Sequence, residues 1–184
     1  KQQRYRMGFF SFFKSMPLDE RHARLLVKYA NATTENKIRA VNTFFNRYVR
    51  YTTDQKQHKK EDYWQSLEET LASKKGDCDD FALAKFFTLR MLDIPEENLR
   101  LGWCQIKAIT EGNSNHLVLL YVVEGSQTKV LDNITNAVKG KNQRRDLKFL
   151  FEVNSYGRWL EDGRRVADES PDFVTAYRKH INKK

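Results

Sequence analysis

Apolar side chains recur with a helical period through the first part of the chain. Residues 18–31 place leucines and a tyrosine on one face, which predicts an amphipathic helix. Residues 34–50 repeat this pattern with larger apolar residues, and Thr34 is a candidate N-cap. The polar segment 51–62 shows no period and predicts a loop, which a short helix around residues 66–72 follows.

The period changes after a third long helix, which begins within KKGDCDDF and ends near Asp93. Alternating apolar residues then predict strands, and EGSQ (124–127) predicts a turn that joins two of them into an antiparallel hairpin. The predicted strands cover residues 99–109, 116–123, 128–134 and 149–154. A terminal helix is expected over residues 171–181, and the aromatic segment 1–16 predicts a docking arm or a strand.

This order of elements, helices first and an antiparallel sheet afterwards, predicts an α+β fold. We expect one domain over residues 1–184, with a mainly helical part at 1–60 and the third long helix and sheet at 74–160. The chain has 184 residues, of which 40% are hydrophobic, so it can bury a core.

The charge balance is basic, with 33 Lys and Arg against 24 Asp and Glu. A basic surface or an acidic protein partner would account for it, and no RRM, KH or zinc-finger pattern predicts binding to nucleic acid. No apolar run approaches the roughly 18 residues of a membrane span, so we expect no membrane insertion. Residue 1 is Lys, so we expect a trimmed or mature chain.

The sequence GDCDD surrounds one of the two cysteines with negative charge. If Asp77 is the N-cap, Cys78 stands at the first helical position, where free N–H groups and the helix dipole favour a thiolate. The dipole contributes about 0.3–1 kcal/mol. One carboxylate about 6 Å away opposes the thiolate by roughly 3 kcal/mol at an effective dielectric near 20. Asp77, Asp79 and Asp80 are therefore either helix caps and surface charges, or ligands of a cation that offsets them, for which Ca²⁺ suits carboxylates better than Zn²⁺.

Two polar residues on the predicted hairpin have the chemistry to assist a thiol. His116 begins one strand and Asp132 lies on the next, so we expect them to be cross-strand neighbours with Cβ atoms roughly 5 Å apart. The carboxylate would then hold one ring nitrogen while the other faces Cys78. The second cysteine, Cys104, is either a disulfide partner or a buried structural thiol.

The blocks GDCDDFALAKFFTLRMLDIP, NHLVLLYVV and VLDN, in this order, resemble the bacterial transglutaminase-like cysteine proteinases, and among them the LapG type. The strong motifs cover residues 64–135, and the resemblance implies a papain-like or transglutaminase-like fold. By the same resemblance, Cys78 is the nucleophile, His116 the general base and acid, and Asp132 the orienting carboxylate.

The resemblance also implies dependence on Ca²⁺, with Asp77 and Asp79 as ligands and Asp80 added by its position beside them. The backbone N–H of Cys78 is the expected first oxyanion donor. Papain-like enzymes add a Gln six residues before the cysteine, but Ala72 stands there, so Trp64 or the neighbouring Gln65 is the expected second donor.

The function that the resemblance implies is a calcium-dependent cysteine endopeptidase of the periplasm, with its signal peptide removed. Its substrate would be the N-terminal region of a large cell-surface adhesin, cut at a di-alanine. A LapD-type inner-membrane receptor that senses cyclic-di-GMP would sequester the protease and so control biofilm attachment and dispersal. Two other functions stay open: a protein-glutamine transglutaminase, and a catalytically inactive basic interaction module of the same fold.

Overall fold

The structure, a computed structural model, describes residues 19–108 and 114–166. The segments predicted as an N-terminal arm (1–16) and a C-terminal helix (171–181) lie outside the described residues. Within these two ranges, no helix combines the length and the apolar character that crossing a membrane requires.

Helices come first in the chain, as the sequence predicts. The described α-helices are α1 (Glu20–Tyr29), α2 (Thr34–Tyr48), α3 (Asp54–Gln57), α4 (Leu67–Ser73) and α5 (Cys78–Met91). The three long helices and the short helix α4 are confirmed. The cap of α2 is Thr33 rather than Thr34, because the Thr33 hydroxyl accepts the N–H of Asn36.

The strands within residues 19–108 and 114–166 form two separate sheets. They are β1 (Arg50–Tyr51), β2 (Lys75–Gly76), β3 (Leu99–Ile106), β4 (Asn115–Tyr121), β5 (Lys129–Leu131), β6 (Lys139–Gly140), β7 (Leu147–Asn154), β8 (Gly157–Leu160) and β9 (Arg165–Val166). β1 and β2 pair in parallel, whereas the larger sheet has the order β6-β5-β4-β3-β7-β8-β9 with antiparallel neighbours. The predicted α+β fold and the hairpin of β4 and β5 are confirmed.

The prediction of a plain loop over residues 51–62 is wrong, because this segment contains the end of β1 and the whole of α3. Both elements are too short for a hydrophobic period to develop. The same reason accounts for β6, β8 and β9, which have two to four residues each and which the pattern does not predict.

The core lies between the helices and one face of the larger sheet. Ile38 and Phe45 of α2 are fully buried against α5, and Leu117 and Leu119 of β4 face the same cluster. Fully burying a side chain of this size contributes about 1.5–3 kcal/mol. Since strand residues alternate between faces, a second cluster lies on the opposite side of the sheet, formed by Cys104, Val118, Leu120, Val130, Leu147 and Phe149.

α5 is buried on almost every side, which makes it the central helix. His22 of α1 is fully buried beside it, and His22 Nε2 lies 2.8 Å from the hydroxyl of Thr88 on α5. Burial lowers the pKa of His22 to about 4, although the charge of Asp19 partly opposes this shift.

We expect His22 to make stability dependent on pH. Its pKa is about 4 in the folded chain and 6.5 without the fold, so unfolding takes up a proton between these values. The stability that neutral His22 contributes is therefore complete above pH 6.5 and is lost as the pH falls toward 4, by about 3 kcal/mol at most. Urea denaturation near pH 7 and near pH 4.5 measures the loss.

The matched control is His22→Gln, which keeps a polar side chain but cannot take up a proton in this range. The free energy of unfolding should fall less with acidity in this variant than in the wild type. An equal fall in both proteins would show that other groups cause the pH dependence.

Candidate active site

The parallel pair β1–β2 brings two distant segments of the chain side by side. Arg50 pairs with Lys75 and Tyr51 with Gly76, and the N–H of Thr52 donates to the carbonyl of Gly76 at 2.9 Å. Because the strands run in the same direction, the residues that follow β1 continue alongside the residues that begin α5. The pairing of β1 with β2 therefore determines which residues lie beside the N-terminus of α5.

Asp80 is the residue that fixes the start of α5. Its carboxylate accepts the N–H of Asp77 at 3.2 Å, the N–H of Gln65 at 2.8 Å and the amide of the Gln65 side chain. Burial raises the pKa of Asp80 to about 7, against these hydrogen bonds, which lower it. Asp80 therefore has the capping role that the sequence left open for it.

Asp77 stands at the N-cap position, but its hydrogen bonds give only one half of a capping box, from the N–H of Asp77 to the Asp80 carboxylate. The N–H of Asp80 donates instead to Asp79 Oδ1, at 2.8 Å. The carboxylate of Asp77 is thereby left available for other contacts.

The glycine before this cap has a packing role. A Cβ added at Gly76 would lie 2.6 Å from both Cβ and Oδ2 of Asp80, which is closer than atoms can approach. Gly76 is therefore required by the close approach of the Asp80 side chain to the backbone of β2.

Three carboxylates converge beside the tip of α5. Oxygen atoms of Asp54, Asp77 and Asp79 all lie within 4.8 Å of one another. Burial, and then the hydrogen bond and charge of Asp77, raise the pKa of Asp79 well above its usual value, and burial also raises the pKa of Asp54. Asp77 Oδ1 is buried and has no hydrogen-bond partner among the described residues.

This donor set fits a hard divalent cation, since Ca²⁺ takes six to eight oxygen ligands and tolerates irregular geometry. The structure brings Asp77 and Asp79 together as the sequence predicts, adds Asp54, and does not include Asp80. Sequence reasoning missed Asp54 because its segment has no hydrophobic period, and its approach depends on the pairing of β1 with β2.

Cys78 stands at the first position of α5 and is partly exposed. Burial of its sulfur raises the pKa of this thiol well above the usual value, and the charges of Asp79 and Asp77 raise it further. The backbone N–H of Leu117 bonds to the sulfur and acts in the opposite direction. The electrostatic conflict that the motif predicts is therefore present in the structure.

Leu117 lies beyond the last residue pair between β4 and β5, which is Leu119 with Leu131. Its N–H therefore does not take part in the hydrogen bonds between β4 and β5. This lets the sulfur at the tip of α5 approach the end of β4. The sulfur is thereby bonded to the residue that immediately follows His116.

His116 and Asp132 are in contact, with Nε2 of the imidazole 2.8 Å from Asp132 Oδ1. The two residues are cross-strand neighbours, as the sequence predicts, and the pair is diagonal, because continuing the register of β4 and β5 places Asp132 beside Val118, two residues from His116. The two side chains share one face of the sheet, and the length of the imidazole allows it to reach the carboxylate.

The tautomer of His116 follows from the charge of its partner. Burial alone would raise the pKa of Asp132, but the hydrogen bond and charge of His116, the N–H of Ile134 and the charge of Arg144 hold it below the usual value. An ionised carboxylate only accepts, so Nε2 carries the hydrogen. In neutral His116, Nδ1 is then the nitrogen with a free lone pair, which a proton acceptor needs.

Asp132 is anchored from several directions. Ile134 donates its N–H to Asp132 Oδ1 at 3.0 Å, and the side chain of Asn46 on α2 donates to the Asp132 carbonyl at 2.8 Å. Arg144 Nη2 lies 2.7 Å from Asp132 Oδ2. The sequence did not predict Arg144, because it follows a single 3₁₀ turn (Lys141–Gln143) in a segment without a motif.

The two side chains expected as oxyanion donors are engaged elsewhere. The indole N–H of Trp64 donates to Asp62 Oδ1 at 3.0 Å, and the amide of Gln65 donates to the carbonyl of Lys75 and to Asp80. The backbone N–H of Cys78 remains the expected donor, since the first N–H groups of a helix have no partner within it.

The second cysteine, Cys104, is a free, fully buried thiol. Its sulfur donates to the carbonyl of His116 at 3.3 Å. Burial raises its pKa to about 12, so it remains protonated at neutral pH. Of the two interpretations that the sequence allowed, the structure supports the structural thiol.

Known protein families and solved structures include clear matches to this chain. Residues 4–160 match the family model described as bacterial transglutaminase-like cysteine proteinase. Calcium-bound LapG of Legionella pneumophila is 27% identical and superposes with a TM-score of 0.75, covering 96% of this chain and 98% of the LapG chain. EGTA-treated LapG of the same organism is 27% identical with a TM-score of 0.73, covering 88% and 86%.

A further structure of Legionella pneumophila LapG is 30% identical to this chain, with a TM-score of 0.67, and covers 77% of each chain. A search of curated proteins found no significant match.

We expect Asp54→Asn to weaken Ca²⁺ binding by about 10-fold or more, since the affinity of an oxygen site depends on the number of its charged ligands. Isothermal titration calorimetry with Ca²⁺ measures the dissociation constant. Asp93→Asn is the matched control, because Asp93 is exposed and its positive φ of 63° is one that Asn also adopts. Equal affinities for wild type and Asp54→Asn would contradict a role of Asp54 as ligand.

Proposed function

Because the chain belongs to the bacterial transglutaminase-like cysteine proteinase family, we propose that it hydrolyses peptide bonds with Cys78, His116 and Asp132 as its catalytic residues. The observation that supports this assignment best is the 2.8 Å contact of His116 Nε2 with Asp132, next to the strand residue that bonds to the Cys78 sulfur. This is the order of nucleophile, base and orienting carboxylate that thiol catalysis requires.

In the first half of the reaction, the Cys78 sulfur attacks the carbonyl carbon of the scissile peptide, and its proton passes to Nδ1 of His116. Asp132 holds the resulting imidazolium through Nε2. The backbone N–H of Cys78 stabilises the oxyanion. When the C–N bond breaks, His116 gives its proton to the leaving amine and a thioester with Cys78 remains.

In the second half, His116 takes a proton from water, whose oxygen attacks the thioester carbon. The C–S bond then breaks, the carboxylic acid leaves, and the proton returns to the sulfur. Water and an amine compete for the same thioester, so a transglutaminase would share every residue of the first half.

We propose that Ca²⁺ is the resident cation and that Asp54, Asp77 and Asp79 hold it. When bound, it supplies positive charge that offsets the carboxylates beside Cys78, whose charges raise the pKa of the thiol. LapG of Legionella pneumophila, which has a calcium-bound structure, supports the choice of ion by its similarity to this chain.

By the same similarity, we propose that the substrate is the N-terminal region of a large surface adhesin, and that the enzyme acts in the periplasm. Its inhibitory partner would be the periplasmic part of a LapD-type inner-membrane receptor, which sequesters the protease when the cytoplasm is rich in cyclic-di-GMP. The enzyme would thereby control biofilm attachment and dispersal.

Cleavage of an adhesin fragment tests the proposed activity. The wild type should cut a recombinant N-terminal fragment that contains a di-alanine, and both excess EGTA and Cys78→Ala should abolish the cut, as measured by gel electrophoresis and mass spectrometry. Cys104→Ala is the matched control and should retain cleavage, since this thiol is buried and protonated.

The outcomes separate the proposals. Cleavage that persists in excess EGTA would remove the calcium requirement but leave the protease. Incorporation of a labelled amine into a glutamine peptide, without cleavage, would show a transglutaminase. Neither reaction, together with alkylation of Cys78 no faster than that of Cys104, would show an inactive module.

The regulatory proposal predicts a complex with a receptor. The purified protein should elute together with the periplasmic domain of a LapD-type receptor in size-exclusion chromatography, and the adhesin fragment should then be cut more slowly. Separate elution and unchanged cleavage would contradict this regulation without affecting the protease assignment.

A further inference from the structure

Arg144 forms an ion pair with Asp132 at the carboxylate oxygen that His116 does not contact. Arg144 Nη2 lies 2.7 Å from Asp132 Oδ2, while His116 and the N–H of Ile134 both bond to Oδ1. The two oxygens of the carboxylate are thus shared between different partners. The Asp132 side chain is fully buried and that of Arg144 is 3% exposed, so water does not screen the pair.

Arg144 is itself held in a fixed orientation. Its Nε lies 2.9 Å from Asp146 Oδ1 and its Nη2 lies 2.7 Å from Asp146 Oδ2, which is a two-point contact between the planar guanidinium and a carboxylate. The contact lowers the pKa of Asp146 through the hydrogen bond from Arg144. A guanidinium fixed in this way can determine the rotation of the Asp132 carboxylate, which a flexible cation could not do.

The rotation of Asp132 matters because it sets the plane of His116. Asp132 follows Leu131, the last residue of β5, and none of the strand pairs in the described ranges includes it, so its orientation depends on side-chain and loop contacts. Lys85 of α5 also attracts Asp132, but the Lys85 Nζ has no hydrogen-bond partner among the residues that the structure describes. Among the described lysines and arginines, Arg144 is the one that forms an ion pair with Asp132, with its Nη2 at 2.7 Å from Oδ2.

We propose that Arg144 is a positioning residue, which holds Asp132 Oδ2 so that Oδ1 keeps His116 in the orientation that reaches Cys78. The proposal rests on the proposed function, since it assigns Arg144 a part in the same reaction. The guanidinium of Arg144 contacts Asp132 and Asp146, so we expect its substitution to act on turnover and not on substrate binding.

Three variants test this role. Arg144→Met keeps the length of the side chain but removes the charge, Arg144→Lys restores a cation without the fork, and Arg145→Met removes the charge of the exposed neighbour. We expect Arg144→Met to lower kcat by about 10- to 100-fold with little change in KM, because displacing a reacting group by about 1 Å can cost about 100-fold. Arg144→Lys should recover part of the loss, and Arg145→Met should match the wild type.

The rate at which iodoacetamide alkylates Cys78, measured by mass spectrometry below the thermal midpoint of each variant, gives a readout that needs no peptide substrate. A lower alkylation rate of Cys78 in Arg144→Met, with partial recovery of the rate in Arg144→Lys, would support the positioning role even if the adhesin fragment is not cut. Unchanged alkylation and unchanged kcat in a folded Arg144→Met would overturn it and leave the protease intact. A fall in thermal midpoint alone, without a change in either rate, would also overturn it, because the ion pair would then be purely structural.

Discussion

The buried negative charge of Asp132 is the constraint on which the rest of the site depends. Leaving an ionised carboxylate unpaired in the interior costs several kcal/mol, so its neighbours must satisfy it. They come from different parts of the chain, His116 from β4 and Arg144 from beyond β6, while Asn46 of α2 holds the backbone of the same residue by donating to the Asp132 carbonyl. The helical part of the chain, the hairpin and the following loop are therefore all tied to the end of β5, and the imidazole takes its orientation from that junction.

The tip of α5 shows the opposite electrostatic situation. Asp132 is surrounded by donors and a cation, whereas Asp54, Asp77 and Asp79 crowd together beside Cys78, where burial and the neighbouring charges raise the pKa values of Asp79 and Asp54. Carboxylates in such a cluster hold protons or a metal ion, since like charges at this separation do not remain ionised together. The fold thus places a carboxylate that stays charged beside His116, and a cluster of carboxylates that suits a cation beside Cys78.

The features of the fold and of the site that leave a hydrophobic period or a motif in the sequence could be predicted from it. The long helices, the hairpin, the α+β class and the contact of His116 with Asp132 follow from spacing, since each depends on residues that are close in sequence or on a turn of known length. Asp54 and Arg144 could not be predicted in the same way. Asp54 reaches the cluster only through the two-residue strand β1, and Arg144 reaches Asp132 from a loop, so both depend on tertiary contacts that leave no period in the sequence.

The close contact between Gly76 and Asp80 limits how this protein and its homologues can diverge. Any side chain at position 76 would overlap the carboxylate that fixes the start of the helix, so the two positions are free to change only together. A homologue that carries a larger residue at the first position should therefore have lost the acid at the second and begin its helix by another cap. Covariation between these two alignment columns would then record a steric exclusion, independent of any selection on the chemistry of the neighbouring thiol.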